Sequence, residues 1–334
     1  MKRPTGRFWI DTFFARKSTA MVLGRDLAGK TVVFTGGTDG MGRAAVERLA
    51  SMGADICLLG RNMAKAQRVV SDLREAGRKA QFPIVECDLG SLDSVRKAAS
   101  DILGQCVRID LLINCAGANV ADRKLSPEGY EMNFAVNYLG PFLLTELLLE
   151  RVRATPSARI VNLTSGTQKM GRLDFDDLHR ERKWSLFATY AQAKLCMIMH
   201  SRDVAGRLEN SGATINCLNP GYIRSSLTRD AKGWESVFVT LFGRLAAPTW
   251  VGGERIEVFA LIPVDLRIPG LFPHWPPDVP LAKLAFPTGS DPPAGCPEQP
   301  HFNRTGPVSS PLPTGGIGAY VRLGPSSDRC YGSG

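Results

Sequence analysis

KTVVFTGGTDGMG, residues 30–42, is the stretch of this sequence that decides its fold. An apolar, β-branched run over residues 31–35 predicts a buried strand, and a helical pattern over residues 43–52 follows it. The residues between them include three spaced glycines: Gly36, Gly40 and Gly42. Because a helix N-terminus offers unpaired N–H groups and a partial positive charge, a glycine turn before it can bind a pyrophosphate. The stretch therefore predicts a nucleotide-binding turn, although an ordinary β–α turn can carry the same glycines.

The rest of the chain repeats this alternation of strands and helices. The predicted strands cover residues 31–35, 55–59, 81–87, 111–114, 159–164 and 213–218. The predicted helices cover residues 43–52, 64–76, 91–105, 127–152 and 186–208. Strands that alternate with helices of this length indicate right-handed crossovers and a parallel sheet with helices on both faces. The predicted fold class is α/β, a doubly wound parallel sheet of the Rossmann type that binds its ligands at the carboxyl ends of the strands.

Composition divides the chain into three parts. Residues 1–25 form a basic N-terminal extension with one acidic residue, Asp11. Residues 26–268 form the predicted single catalytic domain, which carries the nucleotide site. Residues 269–334 are rich in proline and glycine and have no sustained periodicity. We expect a disordered C-terminal tail there, because such a segment buries too little apolar surface to offset its ordering entropy.

Composition also limits the classes of partner. With 44% hydrophobic and 22% charged residues, the chain resembles a globular protein. Its net charge of +9 is not arranged within a recognisable binding motif, so we expect no nucleic-acid partner. Its eight cysteines form no C-x-x-C pair, which argues against a metal site and favours a reducing, cytoplasmic compartment. Aromatic and basic residues within 8–22 leave peripheral contact with a membrane open, but no apolar run of 18 residues occurs.

The second predicted strand ends in a residue that bears on the choice of nucleotide. Arg61 comes 19 residues after Gly42, where a carboxylate would hydrogen-bond the ribose 2′-hydroxyl of NAD. An arginine at this position attracts a 2′-phosphate instead, so the predicted cofactor is NADP(H), with Arg43 as a second phosphate ligand. Two solvated arginines at helix starts are the alternative interpretation.

The third and fourth predicted strands end in further candidate cofactor contacts. Asp88 and Leu89 follow the third strand, where the carboxylate suits an adenine amino group. Asn114, Ala116 and Gly117 follow the fourth strand, where small residues let the backbone lie against a nucleotide. Each of these signals is weak when taken singly.

The fifth strand and the helix after it carry the candidate reactive side chains. Ser165 ends the strand, and Tyr190 and Lys194 lie four positions apart in the helix. This spacing places the phenol and the ammonium on one helix face, where the lysine charge is expected to lower the tyrosine pKa. A phenol of lowered pKa can donate a proton to a carbonyl oxygen near neutral pH. A surface Tyr–Lys pair would have the same spacing.

Taken together, these motifs resemble the short-chain dehydrogenase/reductase family. The residues that carry the resemblance, in the family's order, are TGGTDGMG at 35–42, Asp88, NCAG at 114–117, Asn137, Ser165, YAQAK at 190–194 and Pro220-Gly221. The glycine spacing is similar to that of the classical branch. The residues between Ser165 and Tyr190 resemble the insertion of retinol-dehydrogenase-like and protochlorophyllide-reductase-like members. The resemblance covers roughly residues 27–227.

The resemblance implies a role for each matched residue. Tyr190 would be the general acid in carbonyl reduction or the base in the reverse direction, and Lys194 would hold the nicotinamide ribose. Ser165 would hydrogen-bond the substrate oxygen, and Asn137 would hold a water that relays protons to Lys194. The predicted cofactor contacts, from the residues and the resemblance together, are Gly36, Thr38, Asp39, Gly40, Met41, Gly42, Arg43, Arg61, Asp88, Leu89, Asn114, Ala116, Gly117, Tyr190, Lys194 and, at the carboxamide end, Pro220, Gly221 and Ile223.

The predicted function is therefore hydride transfer between NADP(H) and the carbonyl or alcohol of a small, apolar substrate. A catalytically weak NADP-binding scaffold of the same fold is the alternative, because residues 251–261 resemble the family's last helix but no convincing strand follows them. Apolar residues at helical spacing within 234–245 fit a lid over an apolar substrate, core packing or the face of a homodimer. The sequence leaves these three alternatives open, together with the substrate's identity and the direction of the reaction.

Overall fold

The computed structural model of this chain describes residues 26–223 and 246–261, and every structural statement below refers to them. The predicted N-terminal extension at 1–25, the apolar stripe within 234–245 and the predicted tail at 269–334 lie outside the described residues. The described residues include all six predicted strands and the helices between them.

Six parallel strands form one sheet flanked by helices, which confirms the predicted doubly wound α/β fold. The strands are β1 (Thr31–Thr35), β2 (Asp55–Gly60), β3 (Ile84–Glu86), β4 (Leu111–Asn114), β5 (Arg159–Leu163) and β6 (Thr214–Leu218). The helices are α1 (Gly40–Ser51), α2 (Met63–Glu75), α3 (Leu92–Gln105), α4 (Met132–Arg153), α5 (Leu186–Arg207) and α6 (Thr249–Leu261).

The strand order is β3-β2-β1-β4-β5-β6. The chain adds β2 and β3 on one side of β1 and then crosses to add β4, β5 and β6 on the other side, so the strand order reverses between β1 and β4. Doubly wound folds bind nucleotides at this switch point. Thr35 and Asn114, the last residues of the two strands, lie side by side in register. The glycine turn after β1 therefore begins beside the end of β4.

Apolar side chains cover both faces of the sheet. In β1, Val33 packs into the hydrophobic cluster on one face, whereas Val32 and Phe34 pack into the cluster on the other. In β4, Leu112 packs into the same cluster as Val33, and Ile113 packs into the cluster on the opposite face. Because helices cover both faces of a parallel sheet, its strands are continuous apolar runs. This is why the strands could be recognised in the sequence.

The helix predicted at residues 127–152 begins later than expected, at Met132. A turn precedes it, in which Gly129 has a φ of +85°. The Glu128 carboxylate accepts the backbone N–H of Leu92 at 2.7 Å, so it caps the distant helix α3. The predicted start was wrong because a proline followed by a glutamate is typical of a first helical turn. The capping contact joins segments far apart in the chain, and no local pattern reports it.

Helix α4 contains a π-helical turn at Ala135–Leu139, and Asn137 lies in the middle of it. Such turns are rare in helices and are frequent at functional sites. Among the described helices, α4 is the one that is long and apolar enough to cross a membrane. Most of it is buried within the fold, so its composition is weak evidence of a membrane span.

Strand β3 is shorter than the predicted range of 81–87. The carbonyl oxygens of Gln81 and Pro83 each accept a backbone N–H from β2 at 2.8 Å. Pro83 has no backbone N–H and cannot donate a hydrogen bond to β2, so regular pairing of the two strands begins only at Ile84.

Helix α6 packs closely against α1 through two glycines. A Cβ added at Gly252 would lie 2.7 Å from the Met41 Cβ, and one added at Gly253 would lie 2.8 Å from the Ala44 Cβ. The Cβ added at Gly252 would also lie 3.3 Å from Ile223 Cγ2. Helix α6 therefore brings the segment after β6 next to the first turn of α1.

Candidate functional site

Close backbone contacts shape the glycine turn after β1. Gly36 has a φ of +77°, and a Cβ added there would lie 2.6 Å from the Cα of Ala116. A Cβ added at Gly42 would overlap the carbonyl oxygen of Gly36. Side chains are therefore excluded at both positions, and the turn lies directly against the residues that follow β4.

Thr35 joins the two turns. Its buried hydroxyl oxygen accepts the backbone N–H groups of Cys115 at 3.1 Å and Ala116 at 3.2 Å. The hydroxyl donates to the carbonyl oxygen of Ile113 at 3.4 Å. The sequence motif includes Thr35 but assigns it no role, because these partners lie about 80 residues away. The contacts hold the glycine turn in place beside β4.

The first turn of α1 leaves room for an anion. Gly40 has a φ of +54°, and a Cβ added there would meet no described atom within 4 Å. Asp39 caps the N-terminus of the helix, and its Oδ1 accepts the backbone N–H of Gly40 at 2.7 Å. Because a helix N-terminus attracts negative charge, the open space at Gly40 fits the pyrophosphate of a dinucleotide. Met41 and Gly42 follow in the same turn.

Arg61 is exposed at the end of β2, beside the glycine turn. A Cβ added at Gly60 would lie 3.6 Å from Thr38 Cγ2, so the end of β2 contacts the turn through Thr38. In the part of the chain that the structure describes, the Arg61 side chain forms no hydrogen bond or ion pair. Its guanidinium group is therefore available to bind a ligand anion.

Arg43, the second predicted phosphate ligand, is already paired. Its Nε donates to Glu47 at 2.8 Å, and its Nη2 donates to Asp72 at 2.6 Å. These contacts, with the Glu47 hydrogen bond first, raise the pKa of Arg43. Because two carboxylates already neutralise Arg43, Arg61 is the stronger candidate for a phosphate ligand.

Asp88 and Leu89 lie in a compact turn after β3. Asp88 Oδ1 accepts the backbone N–H of Gly90 at 2.9 Å. Leu89 is buried, and its carbonyl oxygen would overlap a Cβ added at Gly140 in α4. Both residues therefore stabilise the turn, and their contact with an adenine ring stays a prediction.

Ser165, Tyr190 and Lys194 come together at the carboxyl end of β5. The Ser165 side chain lies near enough to Tyr190 to act on the pKa of its phenol. The Nζ of Lys194 lies 5.6 Å from the centre of the Tyr190 ring and donates to the carbonyl oxygen of Leu163 at 2.9 Å. Lys194 is buried, whereas Tyr190 is partly exposed. A hydroxyl, a phenol and an amine thus share one site at the edge of the sheet that also holds the glycine turn.

The pKa values of this pair differ from the expectation. Burial raises the pKa of Tyr190 to about 12, although the Ser165 side chain acts to lower it. Burial lowers the pKa of Lys194 to about 8, although the nearby thiols of Cys115 and Cys217 act to raise it. Lys194 is not among the groups that shift the pKa of Tyr190 in this arrangement, so its lowering of the tyrosine pKa stays a prediction. Burial penalises the phenolate, and the lysine amine is directed to a backbone carbonyl instead of the phenol oxygen.

Asn137 is fully buried and ties α4 to the loop after β4. Its Oδ1 accepts the backbone N–H of Ala118 at 3.2 Å. Its Nδ2 donates to the carbonyl oxygens of Ala118 and Asn133, both at 2.8 Å. Both amide hydrogens are thus used, so a water could bind this residue only through an acceptor. The predicted proton relay stays a prediction.

A row of buried polar side chains crosses the sheet beneath the site. Asn114 Nδ2 donates to Thr145 Oγ1 at 3.0 Å and to Asn162 Oδ1 at 2.8 Å. Asn162 Nδ2 donates in turn to Ser201 Oγ at 2.8 Å. Because unpaired buried amides are costly, the row fixes β4, β5, α4 and α5 relative to one another. Asn114 thus has a structural role in addition to its predicted contact with the cofactor.

Pro220, Gly221 and Ile223 form the segment after β6. Gly221 has a φ of +75°, and Arg255 of α6 donates to the carbonyl oxygen of Pro220. Ile223 forms an isolated parallel bridge with Ala247. Helix α6 therefore holds the predicted carboxamide contacts. Sequence patterns do not reveal Arg255, because its partner lies 35 residues away.

Residues 26–223 and 246–261 contain no group of three or more His, Cys, Asp or Glu side chains that could hold a metal ion. The two cysteines near Lys194 carry thiols whose pKa is raised, mainly by burial, to about 12 for Cys115 and about 11 for Cys217. Both thiols are therefore neutral at physiological pH.

The structure brings most of the predicted site residues to one edge of the sheet, and the chain is similar to known proteins. Residues 30–236 match the family model described as short chain dehydrogenase. Retinol dehydrogenase 13 of Homo sapiens is 39% identical over 204 residues, which cover 61% of this chain and 62% of that relative, less than two thirds of its length. Retinol dehydrogenase 12 of Homo sapiens is 34% identical over 222 residues, which cover 66% of this chain and 69% of that relative. A solved dehydrogenase/reductase from Sinorhizobium meliloti 1021 is similar in fold, with a TM-score of 0.55 at 22% identity over 72% of this chain and 91% of that one.

Proposed function

This chain belongs to the short-chain dehydrogenase family, and from that premise we propose that it transfers a hydride between NADP(H) and the carbonyl or alcohol of a small, apolar molecule. The observation that carries the proposal is the convergence of Ser165, Tyr190 and Lys194 on the sheet edge that holds the glycine turn. A nucleotide cradle alone would suit many functions, whereas an acid, a hydroxyl donor and an amine beside it suit carbonyl chemistry.

Each of these side chains has a distinct task in the proposed reaction. NADP(H), when bound, supplies or accepts the hydride. Tyr190 is the general acid that protonates the carbonyl oxygen, and with a pKa of about 12 its phenol carries the proton at neutral pH. Ser165 hydrogen-bonds the same oxygen and stabilises the charge that develops there. Lys194 holds the nicotinamide ribose, and Asn137 holds a water that returns protons to Lys194.

The proposed cofactor contacts follow the carboxyl edge of the sheet. Gly36, Gly40 and Gly42 form the pyrophosphate cradle, with an open position at Gly40 that supports the fit. Arg61 binds the adenosine 2′-phosphate, because its exposed guanidinium group has no other described partner. The segment at Pro220 lies where α6 and α1 meet and contacts the carboxamide end.

Two exposed apolar side chains and the names of the relatives support an apolar substrate. Phe187 precedes Tyr190 by three positions on α5, which places it on the same helix face, and 39% of it is exposed. Met170 ends the 3₁₀ turn that begins after Ser165, and 58% of it is exposed. The relatives' names, retinol dehydrogenases 12 and 13, point to a lipophilic alcohol or aldehyde. A cytoplasmic or membrane-peripheral location and a homodimer stay predictions.

A panel of carbonyl compounds tests the proposed function. Purified protein is incubated with NADPH and with apolar aldehydes, apolar ketones or matched polar aldehydes, while the NADPH absorbance is followed. We expect oxidation of NADPH with the apolar members and much slower oxidation with the polar ones. NADPH binding without turnover on any member would instead favour the scaffold alternative.

Replacing Arg61 with Ala tests the choice of cofactor. We expect the KM for NADPH to rise roughly 10- to 100-fold, because charge-assisted hydrogen bonds to the 2′-phosphate are lost. The KM for NADH should change little. Arg68→Ala, which removes an exposed arginine from α2, is the matched control. Equal use of NADH and NADPH by the unchanged protein would contradict the assignment of Arg61.

The pH dependence of carbonyl reduction tests the role of Lys194. Because the pKa of Lys194 is about 8, its positive charge is present below that pH and is lost above it. Tyr190, with a pKa of about 12, stays protonated across the same range. We therefore expect kcat/KM to be flat near neutral pH and to fall about tenfold per pH unit above about 8. Lys194→Arg should move the fall to higher pH, and a wild-type profile that is flat to pH 10 would refute this role.

A further inference from the structure

Glu131 is a fully buried residue at the start of α4 that joins three segments of the chain. Its Oε1 accepts the indole N–H of Trp184 and the amide N–H of Asn133, both at 3.0 Å. Its Oε2 accepts the backbone N–H of Phe134 at 2.7 Å. Its own backbone N–H donates to His179 Nδ1 at 3.4 Å. Hydrogen bonds to a carboxylate are among the strongest in proteins, so this junction is rigid.

On one side, Glu131 holds the turn that carries Asn137. The bond to Phe134 caps the start of α4, immediately before the π-helical turn. Asn133 connects Glu131 to Asn137, because its carbonyl oxygen accepts a hydrogen bond from Asn137 Nδ2 at 2.8 Å. The Asn133 side chain also binds both backbone groups of Val120, which fixes the loop after β4.

On the other side, Glu131 holds the start of α5. Trp184 immediately precedes Ser185, whose side chain caps that helix by accepting the backbone N–H of Ala188. Tyr190 and Lys194 follow in the next two turns of the same helix. The indole bond to Glu131 therefore anchors the end of α5 that is nearest to the phenol.

We propose that Glu131 is a positioning residue, which sets the position of Tyr190 and Lys194 on α5 relative to Asn137 on α4 through its bond to Trp184. The inference rests on the proposed function, because these three residues are the proposed proton-transfer groups. Proton transfer requires hydrogen-bond distances, and a displacement of about 1 Å far from the chemistry can cost a factor of about 100 in rate.

The test compares three single variants of the full chain, Trp184→Phe, Glu131→Leu and Trp250→Phe. Trp184→Phe keeps an aromatic ring and removes only the N–H donor. Trp250→Phe makes the same change at an exposed tryptophan of α6 and is the matched control. We expect Trp184→Phe to lower kcat about tenfold, with the KM for NADPH unchanged, at temperatures well below the melting temperature of each variant.

A double-mutant cycle separates positioning from general destabilisation. If Glu131 and Trp184 act through their shared bond, the Glu131→Leu, Trp184→Phe double variant should be no slower than Glu131→Leu alone, because Leu has no oxygen to accept the indole N–H. A kcat for Trp184→Phe equal to that of Trp250→Phe would overturn the proposal. So would a double variant whose loss equals the product of the two single losses.

Hydrogen exchange keeps the proposal testable if the unchanged protein turns over no carbonyl, an outcome that would refute the proposed function alone. We then expect Trp184→Phe and Glu131→Leu each to speed amide exchange at residues 134–137 and 186–190 about tenfold relative to Trp250→Phe. Unchanged exchange at both segments would overturn the role of Glu131.

Discussion

Changing Tyr190 to Phe is expected to lower kcat for carbonyl reduction by a factor of about 10² to 10⁴, because the general acid is removed. NADPH affinity should be largely unchanged, since the aromatic ring and Lys194 remain. The measurements are steady-state turnover of an apolar aldehyde and NADPH titration by fluorescence.

Tyr138→Phe is the matched control for this change. Tyr138 is fully buried in α4, and its hydroxyl has no hydrogen-bond partner among the described residues. Removing that hydroxyl should leave turnover unchanged. Full activity in Tyr190→Phe would refute the assignment of Tyr190 as the acid, whereas loss of both activity and NADPH binding would indicate damage to the fold.

Changing Glu146 to Ala is expected to lower the free energy of unfolding by about 3–5 kcal/mol, because the partly buried Arg207 loses its counter-charge and the buried His200 loses a hydrogen-bond partner. Glu146 lies in α4, with 6% of its side chain exposed. It contacts His200 Nε2 at 2.8 Å and binds Arg207 through both carboxylate oxygens, at 2.8 and 2.9 Å. Urea denaturation at pH 7 measures the loss.

The matched control for this change is Glu150→Ala in the same helix. Glu150 and Arg153 are both exposed and lie 3.8 Å apart, so stability should change little. Equal stability of the Glu146→Ala variant and the unchanged protein would show that this network does not stabilise the fold.

The same network predicts how stability depends on pH. Burial acts to raise the pKa of Glu146, but the bonds with His200 and Arg207 outweigh it and lower the pKa to about 2 in the folded protein. The unfolded chain has the ordinary glutamate value of 4.5, so it binds more protons between pH 4.5 and 2. The contribution of Glu146 is therefore fully present above pH 4.5 and is lost as the pH falls towards 2. In the Glu146→Ala variant, the free energy of unfolding should therefore depend less on pH between 4.5 and 2 than in the unchanged protein.

Patterns that are local in the chain made the fold predictable. Strand β1 was recognised with its observed bounds, Thr31–Thr35, because both faces of the sheet are buried and the strand is a continuous apolar run. The glycines at 36 and 42 were recognised because the backbone contacts that require them recur in nucleotide-binding turns. The short spacing between Tyr190 and Lys194 placed the two residues on one helix face.

Contacts between distant segments could not be predicted. Glu128 caps α3 across 36 residues, so the start of α4 was misplaced. Arg43 pairs with Asp72 across 29 residues, which weakens its predicted contact with a phosphate. The pKa of Tyr190 also depends on burial, and the spacing to Lys194 carries no information about burial.

The sequence by itself determined the strand and helix order, the nucleotide-binding turn and the identity of the candidate reactive side chains, because each depends on neighbours within a few residues. Only the tertiary structure decided how those side chains are held. The bonds of Glu131 to Trp184 and of Asn114 to Asn162 join residues 53 and 48 positions apart. Such pairs form when the sheet brings its carboxyl ends together, and burial then makes each hydrogen bond necessary.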